Sequence, residues 1–118
     1  MLEVQPWGNF AHMTFEVCRA IAADHPSLPG HFPDAPLVPG VLILDEVLDA
    51  LGDWRKGYRL AAIRTVKFLR PLGPEQPFTI RFSAESDGAH EVHFCCSVKE
   101  SVIVEGQLKV CLRTEGNS

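Results

Sequence analysis

A histidine within a proline-rich segment is the first group in this chain whose surroundings favour chemistry. Five prolines lie between residues 24 and 39, and His31 stands in the sequence Gly-His-Phe-Pro. Proline fixes the φ angle and restricts the residue before it, so this segment is predicted to be an ordered, extended loop. A stiff loop suits a general base, because proton transfer requires fixed geometry. The alternative is a surface histidine without a catalytic role.

Gly40 is the second candidate, because it stands at the start of a helix predicted over residues 40–51. Pro39 fits the first helical position, and Gly52 fits the position just past the end. Amides at a helix start lack intrahelical acceptors and lie at the positive end of the helix dipole. The Gly40 N–H is therefore a candidate donor to an oxygen that gains negative charge. The alternative is a Pro-Gly turn that binds nothing.

Acidic residues give the predicted helix a second face. At about 100° per residue, one half is apolar and the other half is acidic, apart from one leucine. The apolar half consists of Val41, Ile43, Leu44, Val47, Leu48, Ala50 and Leu51, and the acidic half of Asp45, Glu46, Asp49 and Asp53 with Leu42. The acidic half either faces solvent or is covered by a second subunit, which would raise the pKa of a carboxyl there.

The remainder of the chain is predicted to be strands. Alternating or apolar stretches occupy residues 13–23, 58–69, 77–86, 90–100 and 102–114, and Asp87-Gly88 is a hairpin signal. Successive strands with short links favour an antiparallel meander, with the helix packed on one face. The chain is therefore predicted to be one α+β domain over residues 1–118.

Composition excludes several classes of function. A net charge of −4 over 118 residues argues against non-specific nucleic-acid binding. No apolar run approaches the roughly 20 residues of a membrane span, and the N-terminus carries no signal-peptide pattern, so we expect a cytoplasmic protein. The four cysteines form no C-x-x-C pair. They are predicted to be buried free thiols, and no metal site is expected.

Taken together, these residues resemble the β-hydroxyacyl-acyl-carrier-protein dehydratases, a family with the hot-dog fold. The matching stretch is "GHFPDAPLVPGVLILDEVLDAL", Gly30 to Leu51, in which an acid, Asp45, follows the histidine by fourteen residues. The stretch "VKFLRPLGPEQPF" also looks like the family's strand that runs into an Arg-x-Pro turn. Within the family, the chain is most similar to the small dehydratase-like proteins of aryl-polyene pigment clusters.

The resemblance implies a hot-dog fold, in which an antiparallel sheet wraps around one central helix, and a dimer whose active sites lie at the subunit interface. It implies that His31 of one chain is the catalytic base and Asp45 of the other its acidic partner. Gly40 would bind the thioester carbonyl, and Phe32 and Pro39 would contact substrate. The implied reaction removes water from a 3-hydroxyacyl thioester on phosphopantetheine, in fatty-acid or polyene-type synthesis. It gives a trans-2-enoyl thioester and needs no metal or redox cofactor.

A basic stretch is the basis for predicting an acyl-carrier-protein partner. Between residues 54 and 74 there is no acid, but there are six basic residues: Arg55, Lys56, Arg59, Arg64, Lys67 and Arg70. Acyl carrier proteins are acidic, so complementary charge favours docking here, with Arg64, Lys67 and Arg70 as candidates. The alternative is a strand with solvated basic residues.

Departures from the family pattern leave two other functions open. Asp34 stands where the family commonly has glycine, and Asp49 stands where a glutamine is frequent. The helix acid is Asp45, as in the dehydratase/isomerase branch, whereas the plain dehydratases use glutamate. One alternative is a non-catalytic hot-dog subunit that pairs with an active partner. The other is a hot-dog acyl thioesterase, although such enzymes usually lack the Gly-His-Phe-Pro loop.

Overall fold

One helix and five strands make up the part of the chain that the computed structural model describes, residues 13–22, 37–86 and 88–113. The predicted α+β class and the order of the elements are confirmed, and strand bounds differ from the predicted ones by at most four residues. His31 and Phe32 lie outside the described residues. The elements are β1 (Met13–Arg19), α1 (Gly40–Trp54), β2 (Tyr58–Phe68), β3 (Phe78–Ala84), β4 (Glu91–Val98) and β5 (Ser101–Leu112).

The strands form one antiparallel sheet in the order β1-β3-β4-β5-β2. Strands β3, β4 and β5 follow one another as hairpins, as predicted, but the predicted meander is wrong for β2, which pairs with β5. The link from β2 to β3 contains Pro71, Pro74 and Pro77. Prolines donate no ladder hydrogen bond and fix the backbone, so this link crosses the sheet instead of forming a tight hairpin.

Alternation along the strands creates the core. In β3, Phe78, Ile80 and Phe82 are buried, while Thr79 and Arg81 point to the other face. Neighbouring strands add further apolar side chains to the same face, which covers the helix. The buried side chains of these neighbours and of the helix include Val92, Phe94, Cys96, Leu108, Val110, Val47 and Ala50.

The helix begins at its predicted first residue, Gly40, and ends three residues beyond its predicted last residue. Pro39 is the N-cap, with φ −59° and ψ 142°, and the first helical residue is Gly40. Gly52 was predicted to end the helix but lies inside it. Trp54 extends the helix because its ring stacks on Phe82, with centroids 5.4 Å apart. Among the described residues, no helix is long and apolar enough to cross a membrane.

Two residues of the predicted helical wheel are on the wrong face. Leu42 is buried, whereas Val41 is 62% exposed. Around the helix axis Val41 lies only about 40° from Asp45 and about 160° from Ile43. Val41 is therefore on the acidic side of the helix, although its side chain is apolar. Val41 is thus an exposed apolar residue beside the acids.

Arg55 follows the helix and holds the β3–β4 hairpin. Its amide donates to the Leu51 carbonyl, and its guanidinium donates to the carbonyls of Ala89 (2.9 Å) and Ser86 (3.2 Å). The guanidinium carbon lies 4.5 Å from the Trp54 ring centroid. Only 4% of Arg55 is exposed. Arg55 therefore belongs to the core, and its prediction as part of a basic docking strip is wrong.

Strand β2 is an edge of the sheet with little cover on either side. Among the described strands it pairs only with β5, and two register irregularities interrupt that pairing, between Leu60 and Ala62 and between Ile63 and Thr65. Ile63 is 45% exposed and Phe68 is 53% exposed. Edges of this kind pair readily with another chain unless they are protected.

The four cysteines are free thiols, and the prediction that they are buried is correct only for Cys96. Burial, and then the charge of the neighbouring Cys95, raises the pKa of Cys96 to about 12. Burial raises the pKa of Cys95 as well, to a smaller extent. Cys18 is exposed, and Cys111 is half-buried.

Candidate active site

A groove of about 670 Å³ lies at the start of the helix. Gly40 and Val41 form one wall, and the end of β2 with the link after it forms the other. Three large apolar side chains that line the groove are exposed: Val41, Phe68 and Leu69. Exposed apolar surface concentrated at one place is typical of binding sites and of subunit interfaces.

Gly40 is required for the way in which Phe68 packs against the helix. A Cβ atom built on Gly40 would lie 2.6 Å from the Phe68 ring, which no side chain tolerates without movement. In the structure, the space that a side chain would occupy is filled by an aromatic ring that lines the groove.

The first amides of the helix have no acceptor among the described residues. The Leu42 amide donates to the Pro39 carbonyl at 3.0 Å, but the amides of Gly40 and Val41 donate to no described carbonyl. Free N–H groups at the positive end of a helix attract an oxygen with negative charge. This arrangement agrees with the predicted role of Gly40 and adds Val41, since both residues line the groove.

Arg19 binds three of the four acids on the predicted acidic face. Its guanidinium donates to Glu46 at 2.9 Å, to Asp49 at 2.9 Å and to Asp53 at 3.3 Å. Hydrogen bonding to Asp49, and then to Glu46, raises the pKa of Arg19 above its ordinary value. These acids therefore connect β1 to the helix and are not simply solvated.

Asp45 is the fourth acid, and no described residue forms a hydrogen bond or an ion pair with it. Its side chain is exposed. It follows Gly40 by five residues, which is about 7.5 Å along the helix axis. Among the acids of the helix, Asp45 is thus the one whose carboxylate is available to a substrate or to a second subunit.

The ends of the proline-rich segment are both attached to one turn. The Glu75 amide donates to the Ile21 carbonyl at 2.7 Å, and the Val38 amide donates to the Leu72 carbonyl at 2.8 Å. Ile21, Val38 and Leu72 are buried. The Gln76 side-chain oxygen accepts from the Gly73 amide at 3.1 Å and braces the same turn. The segment that contains His31 therefore starts and ends at a fixed place beside the groove.

Comparison with known proteins decides the family. Residues 9–107 match the model of a family described as ApeI-like, with the description ApeI dehydratase. The chain belongs to the ApeI-like dehydratase family. A curated relative, the 3-hydroxyacyl-[acyl-carrier-protein] dehydratase FabZ of Pasteurella multocida, is 33% identical over a match that covers 80% of this chain and 69% of the relative.

Solved structures agree on the fold of this family member. The dehydratase heterocomplex ApeI:P from Xenorhabdus doucetiae superposes with a TM-score of 0.69 at 24% identity, covering 83% of this chain and 87% of that chain. A probable thioesterase from Bartonella henselae gives a TM-score of 0.65 at 14% identity, covering 90% and 96%. At such identities the likeness shows the fold alone. The chain has the hot-dog fold that the resemblance implied.

Of the three residues predicted for carrier docking, Arg70 alone borders the groove in this ApeI-like chain. Arg64 lies 3.7 Å from Glu91, and Lys67 stands opposite Glu105 in the register of β2 and β5.

Sequence reasoning missed Arg19 and Phe68 as parts of the site. Arg19 lies 27 to 34 residues before its three partners, and no local pattern connects such positions. Phe68 was assigned only to a strand. Its position two residues before Arg70-Pro71, together with a glycine at the helix start, is the signal that could have indicated an aromatic ring packed against the helix backbone.

Proposed function

We propose that this chain removes water from 3-hydroxyacyl thioesters carried on phosphopantetheine, giving trans-2-enoyl thioesters. One observation carries the proposal: Asp45, the helix acid without a described partner, lies on the same helix as the groove. The amides of Gly40 and Val41 line that groove and have no described acceptor. Membership of a dehydratase family supports the same reaction. No part of this chemistry calls for a metal or a redox cofactor.

In the proposed reaction, each group has one task. His31 accepts the proton from C2, and the Gly40 N–H binds the thioester oxygen as it gains negative charge. Asp45 donates a proton to the C3 hydroxyl. The C2–H and C3–O bonds break, a C2–C3 double bond forms, and water leaves. Phe32 and Pro39 are proposed to contact the substrate.

The proposed active form is a homodimer or a larger oligomer in which β2 edges pair. The exposed edge of β2 and the exposed side chains of Ile63, Phe68 and Val41 support this arrangement, because a second chain would cover them. In such a dimer, His31 of one chain would face Asp45 of the other. Asp45, which is exposed in the single chain, would then be covered by the second chain beside the substrate hydroxyl that it is proposed to protonate.

The proposed partner is an acyl carrier protein, docked by way of Arg64, Lys67 and Arg70. Carrier proteins of this class are acidic, so positive side chains near the groove would increase the rate of encounter. Arg70 is the favoured contact, because it borders the groove. We expect Arg70→Glu to slow reaction with the carrier-bound substrate more than Lys67→Glu does.

The test is hydration of a crotonyl thioester, the reverse reaction, by purified variants. We expect His31→Ala and Asp45→Asn each to lower kcat at least roughly 100-fold, as for removal of a general acid or base. Asp49→Asn is the matched control, since Asp49 lies one helical turn away and is bound by Arg19. Its kcat should stay within about threefold of the wild type. Normal rates in both His31→Ala and Asp45→Asn would refute the proposal.

A second candidate is a subunit that acts only with a different hot-dog partner. The observation that favours it is the ApeI:P structure, which is a dehydratase heterocomplex. Asp34 and Asp49, which depart from the family pattern, point in the same direction. An inactive homodimer that gains activity when a second protein is added would support this candidate. Mass analysis of products separates both from a thioesterase, which would release the free acid.

A further inference from the structure

A second recess of about 290 Å³ adjoins the groove and has a basic lining. Its polar residues are Arg70, Gln76, Lys99 and Ser101. Arg70 and Pro71 line both this basic recess and the groove that contains Gly40, so the two spaces are neighbours. A side chain that lines both spaces can contact two parts of one elongated ligand.

The cations of the basic recess are not neutralised within the described chain. Arg70 and Lys99 form no ion pair with any described residue. No acid lines the recess. The acids nearest in sequence are Glu75 and Glu100, and neither contributes to the lining. Two like charges around one small space repel each other until an anion enters, so this arrangement favours a negatively charged group.

Fixed backbone holds both cations. Lys99 lies in the turn between β4 and β5 with φ +56°, a left-handed conformation that glycine and asparagine adopt more easily than lysine. The backbone next to Arg70 is bonded to β5, since the amides of Leu69 and Arg70 donate to the Ile103 carbonyl at 2.7 Å and 3.2 Å. The two side chains thus start from defined points in the lining of the recess.

We propose that the basic recess binds the phosphate of the pantetheine arm, while the thioester end lies in the groove near the Gly40 amide. This inference rests on the proposed function, because it assigns a second part of the same substrate. Arginine binds phosphate with two parallel N–H donors, and lysine adds a point charge. The Ser101 hydroxyl and the Gln76 NH₂ group are further donors, since only the Gln76 oxygen is bonded to the Gly73 amide.

The test compares two substrates that differ only in the phosphate: 3-hydroxybutyryl-pantetheine and 3-hydroxybutyryl-4′-phosphopantetheine. For the wild type, we expect kcat/KM to be at least roughly 10-fold higher with the phosphorylated substrate, from hydrogen bonds to a charged group. Arg70→Gln and Lys99→Gln should each reduce this preference about fivefold or more, mainly through KM. The control Lys56→Gln removes an exposed positive charge from a turn that does not line the recess, and should keep the preference.

The possible outcomes test the phosphate-binding assignment and the dehydratase proposal separately. Equal rates with both substrates in the wild type would overturn the recess assignment and leave the dehydratase proposal intact. If neither substrate reacts, the dehydratase proposal fails, and titration calorimetry with 4′-phosphopantetheine still tests the recess. Weaker binding by Arg70→Gln and Lys99→Gln than by Lys56→Gln would support it, and equal binding would overturn it.

A last comparison identifies the source of the phosphate contact. The same variants are assayed with 3-hydroxybutyryl-coenzyme A and with the 3-hydroxybutyryl acyl carrier protein, which share the phosphopantetheine arm. Losses with both substrates support recognition of the arm itself, and for Arg70 a larger loss with the carrier protein agrees with its proposed part in docking. A loss confined to the carrier protein would mean that Arg70 and Lys99 contact only the carrier surface, and would overturn the assignment.

Discussion

Replacing Arg55 with methionine is the sharpest test of how this fold is held together. Methionine keeps much of the apolar length of the side chain but removes both hydrogen bonds to the β3–β4 hairpin, those to Ser86 and Ala89. Ser86 is exposed, and Ala89 is half-buried. Each bond is therefore counted at the low end for a charged donor, about 1.5 kcal/mol.

Two further terms enter the estimate for Arg55. Its guanidinium stacks on the rings of Trp54 and Tyr58, at 4.5 Å and 5.1 Å, which adds about 1 kcal/mol. The buried Nε atom has no described partner, and losing that unfavourable burial returns about 1 kcal/mol. The net loss in the free energy of unfolding is about 3 kcal/mol, or roughly 150-fold in the folding equilibrium.

The assay is urea unfolding followed by tryptophan fluorescence, with Trp54 beside the mutated residue. Lys56→Met is the control, because Lys56 is the next residue and is exposed, and we expect it to change stability by less than about 0.5 kcal/mol. Arg55→Lys should lower the free energy of unfolding by more than half as much as Arg55→Met does, since lysine lacks the planar guanidinium. If Arg55→Met and Lys56→Met unfold at the same urea concentration, the hairpin is not held in this way.

Three further predictions follow from other contacts. Arg19→Met should lower stability by about 1 kcal/mol at low salt and by less in roughly 1 M salt, measured by urea unfolding, because it leaves three helix acids uncompensated. Gly40→Ala should cost about 1 kcal/mol in the wild type and clearly less in a Phe68→Ala background, since the added Cβ meets that ring, and additive effects would contradict the packing. The Cys96 thiol has a folded-state pKa of about 12 against an ordinary value of 9.0. The unfolded chain therefore loses this proton first, so stability is full below about pH 9 and falls toward pH 12 by up to about 1.4 kcal/mol per pH unit, a slope that Cys96→Ala should reduce.

Local patterns predicted the elements of this chain well but not their long-range contacts. The alternation in β3 and β4 and the breaker-free stretch after Pro39 fixed the element types. Which strand lies beside β2 depends on how the proline-rich link crosses the sheet, and alternation carries no information about that. Arg55 was assigned to a basic surface because charge predicts exposure on average, whereas here two carbonyls and two rings compensate its burial.

The residues of the candidate site were also found only in part from the sequence. Gly40 was a candidate because of its place at the helix start, whereas the role of Asp45 was implied only by the family resemblance, and both lie in the first two turns of the helix. The distinction between Asp45 and the other acids came only from the structure, because it depends on Arg19 in a different strand. Whether His31 faces Asp45 across a subunit boundary stays a prediction, since His31 and Phe32 lie outside the described residues.

The single turn that holds Ile21 and Val38 also has an evolutionary consequence. Both flanks are bonded to that turn, because the Ile21 carbonyl accepts from Glu75 and the Val38 amide donates to Leu72. We therefore expect changes in length between these two attachment points to preserve the strand pairing, since closing a longer segment costs little extra entropy. Evolution or laboratory grafting could therefore replace the segment that contains His31 while the rest of the fold is kept.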